Sequence, residues 1–419
     1  MKKKLHYSTL FICLLIFTGA HGQQQAFSEW RGPGRTGVYA ETGLMKAWPA
    51  EGPEMIWSLE HLPKGYSSVA IANDRIYLTG ITDTMDVLIA LDMKGNKLWE
   101  TPYGRAWNSS FSDSRCTPTI EGNRLYLSSG LGDVSCVNAT NGHIIWCVKA
   151  SEHFEGTYGE WGISESILLI DDKVIYTPGG EKTTMVALNK ETGETVWQTR
   201  SLKDNPSYVS PLLVERDGKR LIVTVTENTA LGVQPKDGTI LWDFDYGSYA
   251  GGEWNANIQT NTPLYHDGKL FITHGYDHKS VMLNLADDLA SVSLAWVDST
   301  LDVHHGGAVR LGDYVYGANW EHNRMGRWVC LKWHTGEVMY EKEWENKGSI
   351  ISAEGMLYCY DEKRGNIALV KATPEEFKVI SSFKVPLGRG PHWSHLVIHN
   401  GVLYVRHQAA LMAYSISDK

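Results

Sequence analysis

Short apolar runs alternate with polar turns along nearly the whole chain. The clearest unit is a hairpin: an apolar strand, a polar turn with glycine, and a second strand closing on an aromatic residue. It occurs as LIALDMKGNKLW (88–99), VSCVNATNGHIIW (134–146), MVALNKETGETVW (185–197), LGVQPKDGTILW (231–242) and WVCLKWHTGEVMY (328–340). Weaker copies are VMLNLADDLASVSLAW (281–296) and IALVKATPEEFKVISSF (367–383). A second hairpin precedes this one, as in SVAIANDRIYLTG (68–80), PTIEGNRLYLSSG (118–130) and ESILLIDDKVIYTPG (165–179). Alternation with period two on either side of a tight polar turn predicts antiparallel strands. Two hairpins per repeat predict four-stranded sheets. The closing aromatics Trp57, Trp99, Trp146, Trp197, Trp242, Trp296, Tyr340 and Phe383 recur at intervals of 42 to 54 residues, close to the period of propeller blades.

The two ends complement each other. The C-terminal HLVIHNGVLYVRHQAALMAYSIS (395–417) supplies three strands and no closing aromatic, while MIWSL (55–59) is an orphan strand near the other end. Joining them removes two exposed edges. The expectation is an all-β, eight-bladed propeller of four-stranded antiparallel blades over 55–419, closed by the N-terminal strand, with 23–54 as an extension. A seven-bladed ring with one degenerate repeat is the alternative. No helical pattern links the strands, which argues against parallel α/β folds.

Lys2, Lys3 and Lys4 precede an apolar run from Leu10 to Phe17, and Ala20 and Gly22 suit a signal-peptidase site before Gln23. Residues 1–22 are therefore expected to be a secretory signal, with an uncleaved anchor as the alternative. This places the protein in the periplasm or outside the cell. No later stretch is long enough to span a membrane. A formal net charge of −9 argues against nucleic acid as a partner. Beyond the signal, five cysteines remain, and Cys136 and Cys147 lie on the two arms of one hairpin, where they either form a disulfide or are small buried residues.

The hairpin with its turn glycine and closing tryptophan resembles the tryptophan motif of PQQ-like, quinoprotein-type β-propellers. WRGPGRTG (30–37), SRCTPTIEGNRLY (114–126), YGEWGISES (158–166), HHGGAVRLGDYVYG (304–317), MGRWVCLKWHTGEV (325–338) and KGSIISAEGMLYC (347–359) resemble a secreted, Bacteroidetes-type subgroup of these repeat proteins. The resemblance implies either quinone-dependent alcohol oxidation, with PQQ and calcium, or a scaffold role in outer-membrane assembly. The adjacent-cysteine pair of the alcohol dehydrogenase branch is missing, as is a CxxCH haem motif. Asp113, Glu160, Asp277 and Glu321 match no calcium or base motif. The cofactor is therefore left unassigned. No GxSxG, GxxxxGK[ST] or HExxH motif points to another chemistry.

In a propeller, the loops between hairpins and between blades share one face and ring the channel mouth. Here they are rich in ring and charged side chains. A small polar or carbohydrate-like ligand is expected there, with catalysis an open question. The alternative is an envelope scaffold or a glycan-binding propeller. His304 and His305 are the candidate catalytic pair, suited to proton transfer or metal ligation. In an extended segment only one of them need face the channel. Arg115 and Lys347 suit an anionic group, Trp161 can stack on a ring, and Asn257, His392 and His395 complete the candidate set. The competing reading is that these residues only tie neighbouring blades together.

Overall fold

A computed structural model describes residues 27–251 and 258–418. They form eight sheets, each with the four-stranded antiparallel core that the sequence predicts, two of which gain a fifth strand from the N-terminal segment. Blade 1 runs from Ala70–Ala72 to Lys97–Arg105, and blade 2 from Thr119–Glu121 to Ile144–Lys149. Blades 3, 4 and 5 begin at Leu168–Ile170, Leu212–Arg216 and Leu264–His266. Blades 6 and 7 begin at Val309–Leu311 and Gly348–Ala353. Blade 8 comprises Val397–His399, Val402–His407 and Ala410–Ser415, completed by Met55–Leu59. Trp57 pairs with Ala413 in that closing strand.

The repeated tryptophan joins blade to blade. Trp99 lies across from Ala90, Trp146 from Cys136, Trp197 from Ala187 and Trp242 from Gly232, with a bulge beside each pair. The small partner leaves room for the indole, and the bulge alters the local twist of the strand. The indole N–H then donates to a turn carbonyl of the next blade: Trp57 to Met93 at 3.0 Å, Trp146 to Lys190 at 2.8 Å and Trp197 to Pro235 at 3.0 Å. Trp242 is the exception. The turn it should meet, in blade 5, has Leu289 at φ 64° and no glycine, and the buried Trp242 N–H has no partner.

The five cysteines are free, so of the two readings of Cys136 and Cys147 the disulfide falls away; Cys136 is buried and Cys147 exposed. Cys147 lies opposite Ser135, whereas Cys136 lies opposite Trp146. A one-residue offset puts the two thiols on opposite faces of the sheet.

A seam of hydroxyls lines the channel. Ser68 N–H donates to Thr117 Oγ1, Thr117 N–H to Ser166 Oγ, and Ser166 N–H to Ser210 Oγ, at 2.9, 3.1 and 2.9 Å. The N-terminal segment closes the channel from the hairpin-turn side. Phe27–Ser28 adds to the inner strand of blade 2, and Val38–Tyr39 runs parallel to that of blade 7. Between them, WRGPGR sends two buried arginines inward. Arg31 donates to Ala308 O at 2.7 Å and Ile350 O at 3.1 Å, and its guanidinium meets His395 Nδ1 at 2.8 Å. Arg35 donates to Ser166 O and Ile167 O. The mouth on the opposite face is therefore a cup with a floor. No helix among the described residues is long and apolar enough to cross a membrane.

Candidate functional site

Four residues ahead of the inner strands of blades 1 to 6 and 8 stand Tyr66, Arg115, Ser164, Tyr208, Thr260, His305 and Trp393, and Lys347 directly precedes that of blade 7. These positions make one tier around the cup. On its blade 6 and 7 side, three residues converge. The ligating atoms of His304, His305 and Glu362 lie within 4.8 Å of one another. His305 Nε2 is 3.2 Å from Glu362 Oε2, while Lys347 pairs with Glu362 Oε1. Lys347 also donates to His322 O at 3.3 Å. Burial raises the Glu362 carboxyl, but His305 and Lys347 beside it hold it below the ordinary range.

The backbone bends at His305–Gly306 instead of running on as a strand, and both histidines face this cluster, with ring centroids 4.3 Å apart. That departs from the alternation expected of a strand. His304 Nε2 is 2.8 Å from Tyr276 OH. Burial, with His305 and Lys347 nearby, holds His304 well below the ordinary histidine range, so its ring is neutral.

An aromatic wall continues around the cup. Trp393 contacts His305 at 5.3 Å, Tyr66 at 4.9 Å and Phe111 at 5.6 Å; Phe111 contacts Trp161, and Trp161 contacts Tyr208. On the other side, Tyr276 contacts Trp320 at 5.1 Å. Phe111 and Tyr276 both hold positive φ, 51° and 65°. Bulky side chains seldom adopt this conformation, and such strain concentrates at functional sites. A cleft of about 330 Å³ opens between blades 6, 7 and 8, lined in part by Glu362, Trp393, Asn323 and Arg324.

The remaining candidates divide. Arg115 donates to Trp161 O at 2.6 Å and to Phe111 O, so it braces the wall. His395 lies beneath the cup: its Nε2 meets His305 O at 3.0 Å and its Nδ1 meets Arg31. His392 faces away, bonded to Tyr360 OH at 2.6 Å and stacked on His407 at 3.6 Å. Asn257 lies outside the described residues. Sequence reasoning missed Glu362 and gave Arg31 no role. Glu362 sits in the polar stretch YDEKRGN, where it looks like a solvated turn; its only signal is a place on the same loop face as His304 and His305.

The family model for outer membrane protein assembly factor BamB matches residues 84–339. The chain belongs to that family. A BamB of Kangiella koreensis is 29% identical over 156 residues, covering 34% of this chain and 36% of that protein. Quinoprotein alcohol dehydrogenase PedH of Pseudomonas putida is 22% identical over 236 residues, covering 49% of this chain and 37% of that protein. The chain thus spans little more than a third of the length of these curated relatives. Among solved structures, BamB of Moraxella catarrhalis superimposes with a TM-score of 0.63 at 15% identity, covering 87% of this chain and 99% of that one. A europium-containing methanol dehydrogenase gives 0.68 at 11% identity, covering 90% and 88%. At these identities the likeness shows the fold alone.

PQQ with calcium, which the quinoprotein likeness implies, fits these residues poorly. Calcium takes six to eight oxygen ligands. The group that converges at the mouth offers two imidazoles and one carboxylate already paired with lysine. We therefore assign no quinone chemistry to this site.

Proposed function

We propose that this propeller holds a small polar, carbohydrate-like ligand in the cup at its channel mouth, in the periplasm or outside the cell. The observation that carries this reading is the pairing of an aromatic wall with a largely buried charged cluster. Trp393, Phe111 and Trp161 offer faces for a ring, while His305, Lys347 and Glu362 offer polar contacts beside them. Binding sites combine apolar walls with a few fixed polar groups in this way.

The test is retention of ligand by protein purified from its own host, read by native mass spectrometry. Trp393→Ala and Trp161→Ala should each abolish retention while the melting temperature changes little. Lowered melting with unchanged retention in both would turn the wall into a structural seam. A second reading, an envelope protein scaffold, is favoured by the family and by Phe111, 55% exposed on this face. Cross-linking in cells to a single partner, lost on Phe111→Ser with ligand retention intact, would favour the scaffold.

A further inference from the structure

We propose that His304, His305 and Glu362 form a binding site for one divalent transition-metal ion on the wall of the cup. This deepens the ligand-site reading and rests on the same channel mouth. Three observations support it. First, His304 Nδ1 is buried without a hydrogen-bond partner, and the buried His305 Nε2 and Glu362 Oε2 face only each other, 3.2 Å apart. Leaving such atoms unpaired is costly, and a shared cation would satisfy all three at once.

Second, the outward atom of two ligands is already fixed by a neighbour. Tyr276 OH holds His304 Nε2, and Lys347 holds Glu362 Oε1. Outer partners of this kind orient the ligating atom and are usual around protein metals. They leave His304 to ligate through Nδ1 and Glu362 through Oε2. Third, the donor set selects the metal class. Two imidazoles and a carboxylate suit zinc and its first-row neighbours, not the all-oxygen shell of calcium or magnesium.

The spacing sets a condition. Two ligands of one zinc ion lie at most about 4.2 Å apart, twice a bond of about 2.1 Å. The present limit is 4.8 Å, so the three side chains must draw together by roughly half an ångström. The His305–Glu362 pair, at 3.2 Å, is already within range. Glu362 also lines the cleft beside Trp393, so a vacant coordination position there would meet an oxygen of the bound ligand. The metal would then polarise that oxygen, with the aromatic wall holding the rest of the ligand.

The experiment uses the full chain, stripped with EDTA, dialysed and titrated with zinc chloride by calorimetry, with no organic ligand present. One zinc per chain is expected, not displaced by excess calcium. His305→Ala should weaken binding by about 100-fold or more. Glu362→Gln should do the same, with melting curves recorded because it deprives Lys347 of its counter-ion. His305→Ala leaves no charge buried and so remains informative if Glu362→Gln is unstable. No saturable zinc uptake by the wild-type chain, or wild-type affinity in His305→Ala, overturns the site. Trp393→Ala separates the two readings, since it should remove organic ligand and leave zinc uptake intact.

Discussion

Gly238 shows how closely one residue can be specified. Its φ is 78°, and a Cβ there would stand 2.6 Å from the Trp197 ring of the preceding blade. The left-handed backbone alone costs a non-glycine residue about 1–2 kcal/mol, and the collision adds to it. We expect Gly238→Ala to destabilise the protein by about 2–4 kcal/mol, read as a lower urea midpoint with an unchanged slope. Ala at Gly355 makes the comparison: φ is 75° there too, but nothing lies within 4 Å of the added methyl. It should cost only the backbone share. Equal losses at the two positions would remove the indole from the explanation. Tryptophan and glycine were readable because the pairing repeats; the weaker copy at 281–296 is the one whose turn leaves Trp242 without its glycine.

The N-terminal strap is an element whose sequence offers no period to read. WRGPGR stands out as a motif, yet it is neither strand nor long helix, and the acceptors of Arg31 lie hundreds of residues away at Ala308 and Ile350. Nothing local could name them. Burial first, partly offset by Tyr39, lowers the Arg31 pKa to about 10, so it stays charged in the fold at neutral pH. Arg31→Ala strips the donor from two buried carbonyls and from His395, and should cost about 2–4 kcal/mol. It should also loosen the floor under His305, because His395 holds the His305 carbonyl. The check is urea unfolding together with hydrogen exchange over 304–307; a stable variant with unchanged exchange there would separate strap from cup.

At the scale of the whole ring, buried acids and histidines make opposite demands on pH. Burial raises Asp86 to about 7 and Glu165 and Asp302 to about 8, despite hydrogen bonds that favour the ionised form. Each binds a proton in the fold that the unfolded chain releases near pH 4, so each contribution is lost as pH rises toward 8. Burial lowers His278 to about 4 and His392 to about 3, and His274, His304 and His395 well below the ordinary value. These stay neutral in the fold and oppose it below about pH 6.5, where the unfolded chain takes up protons. Between pH 7 and 8.5 the acids outweigh the histidines, whose unfolded-state protons are by then largely released, so stability should fall. Glu165→Gln should flatten that fall by up to about 1.4 kcal/mol per pH unit. A wild-type urea midpoint that rises from pH 7 to 8.5 would contradict the assignment. The eight-bladed ring itself was legible from end to end, since every blade repeats one period. The cup was legible only as a face: the packing of neighbouring blades brings blade 6 histidines against a blade 7 glutamate, and spacing along the chain does not encode that meeting.

Blade 8 takes one strand from residues 55–59 and three from 397–415. A chain emerging from a ribosome or an export channel therefore presents the clasp first and its catch last. Until Ala410–Ser415 arrives, the first blades carry an open edge, and so does every fragment that stops short. Loss of the last few residues is then not a local injury but a failure to close, and incomplete chains are the ones most exposed to proteolysis and strand-to-strand aggregation.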